Sequence, residues 1–449
     1  MTRRQSVSVR TRLAHAARRA PRPRGTFSQG VAALAGTAML AQLITIAVSP
    51  ILTRLYLPQD LGVLAVYTSA LALVGVVSSL RYEYALPLPE TDREAGSLLA
   101  AGGIALLGVA TATAAIVITV GPALAGAVHA SGLIPYLWLM PLGVLAAGVY
   151  QLLYFWSLRK RAFGAIARTR VTQGLMRSVL QVALGILVVG PLGLLAGQVA
   201  GVAGGSLALA GRNGLADPRL LRRLEVGQIL RAARRYRRFP LYGGAAGLLN
   251  TATLQGLPIL LSWSNGIAVA GWFGLMQRLL GLPMAVLGSS ISESFLSVAP
   301  ELARTRPWEL KRLFLRIAWR MFVVAVGPVV VVMVAAPTLF PLVFGPYWAT
   351  SGLYARYWGP ALLMQFVVSP LSQLTNVLEQ QHTQLALDST RTALILGVFA
   401  AASVLDFSAA STVLAVGIVM AISYGLYFAV YLRIVSVAAR GRPAPNGDT

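Results

Sequence analysis

Residues 97–121 read SLLAAGGIALLGVATATAAIVITVG, an unbroken run without one ionisable side chain. A helix rising 1.5 Å per residue needs about 20 such residues to cross a hydrocarbon core about 30 Å thick. In water a helix keeps one polar stripe, and this run has none, so its natural surroundings are lipid. Blocks of the same kind recur from Val31 to Leu432. The composition agrees: 56% of the 449 residues are hydrophobic, 12% are charged, and the mean hydropathy is +0.70. A soluble domain carries about a quarter of its residues as charges. The chain is expected to be an all-α polytopic membrane protein.

Counting apolar blocks gives about twelve spans. Six lie near residues 28–52, 61–81, 97–121, 134–157, 168–190 and 191–211, and six near 239–263, 267–297, 314–344, 354–378, 385–405 and 409–435. The longest polar segment, 212–238, divides them into lobes of six, 28–211 and 239–436, with basic tails at 1–27 and 437–449. The fifth span carries Arg168, Arg170 and Arg177 near its start, which leaves open whether it begins before or after Arg177. The linker's Leu220–Arg238 stretch fits either an amphipathic surface helix or a solvated connection.

The net charge of +24 raises nucleic acid as a partner. The arginines instead follow the positive-inside rule. They concentrate in the N-terminal tail, at Arg159–Lys160–Arg161, in the linker, between Arg304 and Arg316, and beyond Arg433. The alternate loops around His129, Gly190, Asn265 and Asp406 hold almost none. This alternation places both termini in the cytoplasm of a multi-pass bacterial inner-membrane protein, with membrane lipids and not nucleic acid around it. The absence of cysteine removes disulfides, thiolate metal sites and cysteine nucleophiles.

The two halves resemble each other. Ser49-Pro50-Ile51-Leu52 matches Leu257-Pro258-Ile259-Leu260, and Ser78-Ser79-Leu80-Arg81-Tyr82-Glu83 matches Ser289-Ser290-Ile291-Ser292-Glu293. The offsets are 208 and 211 residues, and Gly62 and Gly271 lie between at a similar spacing. Six spans per repeat preserve orientation, so the lobes are expected to be related by an axis along the membrane normal and to enclose a central cavity.

Around the first two spans the chain reads Ser49-Pro50-Ile51-Leu52-Thr53-Arg54-Leu55-Tyr56, then Leu57-Pro58-Gln59-Asp60-Leu61-Gly62, with Leu80-Arg81-Tyr82-Glu83 and Glu90-Thr91-Asp92-Arg93-Glu94-Ala95 further on. This pattern resembles the Wzx-type polysaccharide flippases of the MATE-like multidrug/oligosaccharidyl-lipid/polysaccharide (MOP) exporter superfamily. The motif covers about residues 28–97, and span count and loop lengths extend the likeness over the chain. The resemblance implies a two-lobed transporter that moves an undecaprenyl-pyrophosphate-linked oligosaccharide from the cytoplasmic to the outer leaflet. It implies a monomeric transport unit working beside other polysaccharide assembly proteins. It implies no cofactor beyond a possible proton or sodium gradient.

Ionisable residues inside a membrane cost several kcal/mol, so they usually face a cavity or a partner. Arg278 lies about eleven residues into the eighth span, roughly 16 Å from its end, beyond easy snorkelling. It reads as cavity-lining, with a buried ion pair as the alternative. A guanidinium suits a pyrophosphate because its planar fork stays charged. Arg54 and Arg356, at outer span ends, either guide an anionic head or snorkel. Gln373 and Asn376 in the tenth span share a face with Gln380 and offer hydrogen bonds to sugar hydroxyls or to neighbouring helices. Asn250 and Gln255 are weaker candidates of that sort.

Arg81 and Glu83 flank Tyr82 at the cytoplasmic end of the second span, as an inner gate or an interfacial anchor, and Glu293 holds the corresponding place in the second half. Asp388 and Arg391, three apart on one helical face, form a local ion pair or offer a coupling carboxylate. No G-x-x-x-x-G-K-[ST] loop occurs, so ATP hydrolysis by a P-loop is excluded. The competing readings are a cation-coupled MATE drug exporter and a membrane polysaccharide polymerase or ligase. The first calls for an acidic cavity, and the second for a large outer loop that this chain lacks.

Overall fold

The computed structural model describes residues 24–188, 190–212, 225–240, 244–283 and 288–440. The N-terminal basic segment through residue 23, part of the linker and the last nine residues lie outside it. The first lobe holds α1 (Arg24–Leu55), α2 (Pro58–Val77), α3 (Tyr82–Ala85), α4 (Asp92–Thr119), α5 (Gly121–Ala127), α6 (Leu139–Arg159), α7 (Phe163–Leu187) and α8 (Leu192–Arg212). The linker supplies α9 (Val226–Arg235). The second lobe holds α10 (Gly244–Gln255), α11 (Leu257–Asn265), α12 (Ile267–Pro283), α13 (Ser289–Thr305), α14 (Pro307–Phe344), α15 (Ala349–Val368), α16 (Gln373–Val377), α17 (Gln381–Val404) and α18 (Ala409–Arg440). Among the described residues there is no strand.

All twelve expected spans correspond to helices. Among the described residues, seven of these helices are by themselves long and apolar enough to cross a membrane. The others depart for local reasons. The fifth span begins at Phe163, ahead of Arg177, and so carries three arginines. The seventh breaks at Gly256 between α10 and α11, where Pro258 opens the new helix without needing a backbone donor. The eighth block is described as α12 up to Pro283 and as α13 from Ser289, with residues 284–287 outside the described residues. The ninth, α14, is longer than expected, with 38 residues from Pro307 to a stop at Gly345, whose φ of 99° is open to glycine.

Local signals set several helix starts. Pro58 occupies the first turn of α2, and the Leu57 amide donates to Asp60 Oδ2 at 2.9 Å. Thr91 caps α4 by accepting from the Glu94 amide, with Asp92 and Glu94 in the first turn facing the helix's positive end. Packing then separates two cores. One joins Val66, Tyr67, Leu98, Leu106, Val144 and Trp156 in the first lobe. The other centres on Phe273, Phe314, Trp348, Tyr354, Phe399 and Tyr431 in the second. The outer surface is apolar: Ile104 and Ile118 of α4, Val331, Val334 and Leu342 of α14 and Ile422 of α18 are exposed. A surface this apolar suits lipid contact, as the sequence requires.

Across the lobes, α2 packs against α10, α11 and α12. At the end carrying Arg159, helix α9 lies against α4. Arg235 pairs with Glu94 at 2.8 Å, Arg93 donates to Gln228, and the Tyr82 hydroxyl donates to the Ala233 carbonyl. Asp92 is held there by Arg159 and Lys160 at 3.3 and 2.6 Å. The linker helix is thereby fixed to the first lobe. Arg231 and Arg234 on this helix, and Arg237 and Arg238 just beyond it, are exposed.

Candidate functional site

Between the lobes lies a cavity of about 490 Å³. Helices α1, α2, α7 and α8 supply one wall, and α10, α11, α12, α15 and α18 the other. Its two cations are Arg177 from α7 and Arg278 from α12, close enough to act on each other electrostatically. Arg278 Nη2 donates to the Thr45 carbonyl at 3.3 Å, across the lobe boundary. The Nε atoms of both arginines are buried without a protein hydrogen-bond partner. Unused guanidinium donors in a buried wall are costly unless something accepts from them.

Glutamine is the second theme. Gln42, Gln181, Gln198, Gln255, Gln277 and Gln365 line the same cavity. Gln181 Nε2 donates to the Leu194 carbonyl at 3.1 Å, while its Oε1 has no protein partner. Among the described residues that line the cavity there is no carboxylate. Apolar residues such as Leu61, Leu254, Leu362 and Trp358 complete the wall. The site therefore offers fixed positive charge and amide groups at the centre of an apolar bundle.

Arg177 reaches the cavity because α8 lets α7 come close. Gly193, Gly197, Gly201 and Gly205 recur every fourth residue and make one smooth stripe. A Cβ at Gly201 would lie 2.9 Å from Arg177 Cβ, and one at Gly197 would lie 2.6 Å from Gln181 Cγ. Arg168 is exposed and Arg170 sits over the Tyr154 ring at 5.9 Å, so the three arginines of α7 do different things.

Of the sequence candidates, Arg278 and Gln255 line the cavity and Asn250 does not. Arg54 is exposed at the end of α1. Arg356 is exposed on α15 and donates to the Met333 carbonyl at 2.8 Å. Asn376 donates to Gln373 at 2.9 Å, so these two amides pair with each other outside the cavity wall. Gln380 accepts from Thr383. Arg177, Gln42, Gln181, Gln198, Gln277 and Gln365 were not among the candidates.

Arg81 stands at the end of α2 in a left-handed conformation, φ 62°, with its guanidinium against Gly247 of the second lobe and over the Tyr84 ring at 5.0 Å. Its Nε has no protein partner. Glu83 is 1% exposed and accepts from Ser79 Oγ at 2.5 Å and Gln151 Nε2 at 3.3 Å. Glu293 falls on α13, and its side chain lies outside the described residues.

Asp388 and Arg391 do form an ion pair, Oδ1 to Nη2 at 3.1 Å, buried between α17 and α18 and apart from the cavity wall. Tyr427 donates to Asp388 Oδ1 at 2.8 Å, and Gln384 donates to Oδ2 at 3.1 Å while accepting from Tyr431. Arg391 also lies over the Tyr424 and Tyr427 rings.

A comparison with curated proteins finds no match. Comparison with solved structures does. An inward-facing multidrug resistance MATE family transporter of the MOP superfamily aligns with a TM-score of 0.69 at 13% identity, covering 89% of this chain and 96% of that one. An outward-facing multidrug resistance MATE family transporter aligns with a TM-score of 0.54 at 14% identity, covering 91% and 96%. A MOP superfamily transporter from Pyrococcus furiosus, described as having a binding pocket of reverse polarity, gives the same score, identity and coverage. These likenesses establish the fold, that of MATE and MOP transporters. A family model described as polysaccharide biosynthesis protein matches residues 51–352, two thirds of the sequence, and the chain belongs to that family.

Proposed function

We propose that this transporter flips an undecaprenyl-pyrophosphate-linked oligosaccharide across the bacterial inner membrane, from the cytoplasmic to the outer leaflet, for surface polysaccharide assembly. The observation that carries the reading is the cavity's charge. Arg177 and Arg278 present unpartnered guanidinium donors, and no described carboxylate faces them. Arginine binds phosphate oxygens through paired, charge-assisted donors and does not lose its proton. The six glutamines supply the amide groups that sugar hydroxyls pair with. Transport by alternating access of the two lobes requires no covalent step, and the reading is of a transporter and not an enzyme. A cation-coupled drug exporter would need negative charge where this cavity has positive. Arg54, Arg356, Gln373 and Asn376 take no part in the proposal, because none lines the cavity.

Orientation follows the arginine bias, with the Arg159 end in the cytoplasm and the His129 end outside. Uphill movement would draw on a proton or sodium gradient or on removal of product outside. The deciding experiment reconstitutes the protein in vesicles and follows undecaprenyl-pyrophosphate-linked sugars between leaflets. Movement well above that of empty vesicles, and lowered about tenfold or more by Arg278→Ala, supports the proposal. Movement at the empty-vesicle rate beside robust efflux of cationic drugs overturns it.

A further inference from the structure

Gly62 is the fifth residue of α2, and Gly271 is the fifth residue of α12. A Cβ placed on Gly62 would fall 2.0 Å from the carbonyl oxygen of Ile267, the first residue of α12. A Cβ on Gly271 would fall 1.9 Å from the carbonyl oxygen of Pro58, the first residue of α2. The contact is reciprocal. Each helix lays its opening carbonyl in the notch left by the other's glycine, and both residue pairs are related by the same offset of 209. The internal repeat thus meets itself at this point, with equivalent residues of the two halves facing each other.

The same two helices form the cavity wall one turn further in. Ala65 and Thr68 continue α2 into the cavity, and Gly274 and Arg278 continue α12. Gly274 keeps the approach tight, since its Cβ would lie 3.1 Å from that of Ala65. Among the described residues, three hydrogen bonds cross between the lobes on the side of the glycines away from the cavity. Ser262 Oγ donates to the Val128 carbonyl at 2.6 Å, His129 Nδ1 meets the Trp263 carbonyl at 2.8 Å, and Trp348 Nε1 donates to the Thr53 carbonyl at 3.0 Å.

We infer that the Gly62–Gly271 contact is the seal that shuts the cavity at the His129 end, and that parting α2 from α12 there is the motion that opens it. Backbone meeting backbone leaves no side chain to reorient, so the seal is either formed or parted. An added methyl at either glycine has a carbonyl in its way and must push the helices apart by about 1 Å. The population then moves to the parted state. The inference rests on the transporter reading of the cavity and is independent of what the cargo is.

The chain has no cysteine, so introduced cysteines report alone. Spin labels on Gln59→Cys in the first lobe and Leu405→Cys in the second, both exposed at the His129 end, give a distance across the seal by pulsed electron resonance in lipid nanodiscs. No cargo is added, so failure here is separate from failure of the flippase reading. We expect Gly62→Ala and Gly271→Ala each to raise the ratio of long to short distances about tenfold. Gly108→Ala, with open space around the new methyl, should leave it unchanged. An unchanged distribution in both seal variants overturns the inference, and so does an equal shift from Gly108→Ala. Should neither seal variant fold, Gly274→Ala decides: a partial shift to long distances sustains the seal, and none overturns it.

Discussion

Arg278 Nη2 on α12 donates to the Thr45 carbonyl on α1 at 3.3 Å, so the cavity cation of the second lobe is moored to the backbone of the first. The mooring uses one donor and leaves Nε unpartnered. Thr45 can give up this bond, because its carbonyl sits inside α1 where the helix ladder also claims it. Arg278 is thus positioned by a weak neutral contact and remains available to an anion. Arg177 stands by it from the opposite wall.

From this arrangement Arg278→Ala is expected to lower transport of a pyrophosphate-linked cargo by about tenfold or more, the worth of one charge-assisted hydrogen bond of about 1.5–3 kcal/mol. Arg177→Ala should do the same. Arg278→Lys should retain charge but lose the planar fork, giving an intermediate rate. Initial rates in reconstituted vesicles check this, with Arg54→Ala and Arg356→Ala expected near the parent rate.

How much of this was legible in the sequence depends on the kind of signal. Apolar blocks announce spans because lipid demands them, and Arg278 stands out because a lone charge interrupts such a block. Arg177 is an equal partner in the cavity, yet Arg168 and Arg170 nearby make it look like the edge of a span. The clue was in α8, whose glycines 193, 197, 201 and 205 promise a helix pressed closely against a neighbour. The six cavity glutamines are scattered over six helices, one to each, and only packing brings them together. The repeat was visible in Gly62 and Gly271, but that the two touch is a fact of three dimensions. Gln373 and Asn376 share a helical face as their spacing requires, and then satisfy each other.

Glu83, in the short segment between α2 and α4, predicts a pH dependence. Burial holds its carboxyl above the ordinary value of 4.5, against the opposing pull of the Ser79 hydrogen bond and the Arg81 charge. A carboxyl raised in the folded state keeps its proton there while the unfolded chain has released it. Stability therefore falls as pH climbs from about 4.5 through the folded value, and levels off above it. Glu83→Gln is expected to remove this slope. Unfolding curves of both proteins in detergent between pH 4 and 8 should diverge with the parent losing stability as pH rises; parallel curves would refute the assignment.

The Tyr56 hydroxyl donates to the Gln181 carbonyl at 2.7 Å and fits between two glycines, where a Cβ at Gly193 would lie 2.2 Å and one at Gly185 2.7 Å from it. Tyr56→Phe should cost about 1 kcal/mol by losing the hydrogen bond. Gly193→Ala should cost about 1–3 kcal/mol by overpacking. Because the methyl collides with the hydroxyl itself, the double variant should be more stable than the sum of the two losses predicts. Thermal unfolding of the four proteins completes the cycle.

The Asp388–Arg391 pair yields the sharpest stability contrast. Both carboxylate oxygens are engaged, by Arg391 and Tyr427 on one and Gln384 on the other, and the pair is nearly sealed from solvent. Removing one member leaves a buried charge alone, which costs about 3–5 kcal/mol. Asp388→Asn and Arg391→Met should each lower the melting temperature steeply. Asp388→Asn with Arg391→Met removes both charges and should recover at least half of the loss. If the pair serves only to hold α17 against α18, the double variant should also transport at near the parent rate once it folds. If Asp388 instead carries a coupling proton, the double variant should fold well and still fail to drive uphill transport under an imposed proton gradient. Measuring stability and gradient-driven uptake on the same three variants separates the two roles, because a structural pair ties activity to folding and a coupling carboxylate does not.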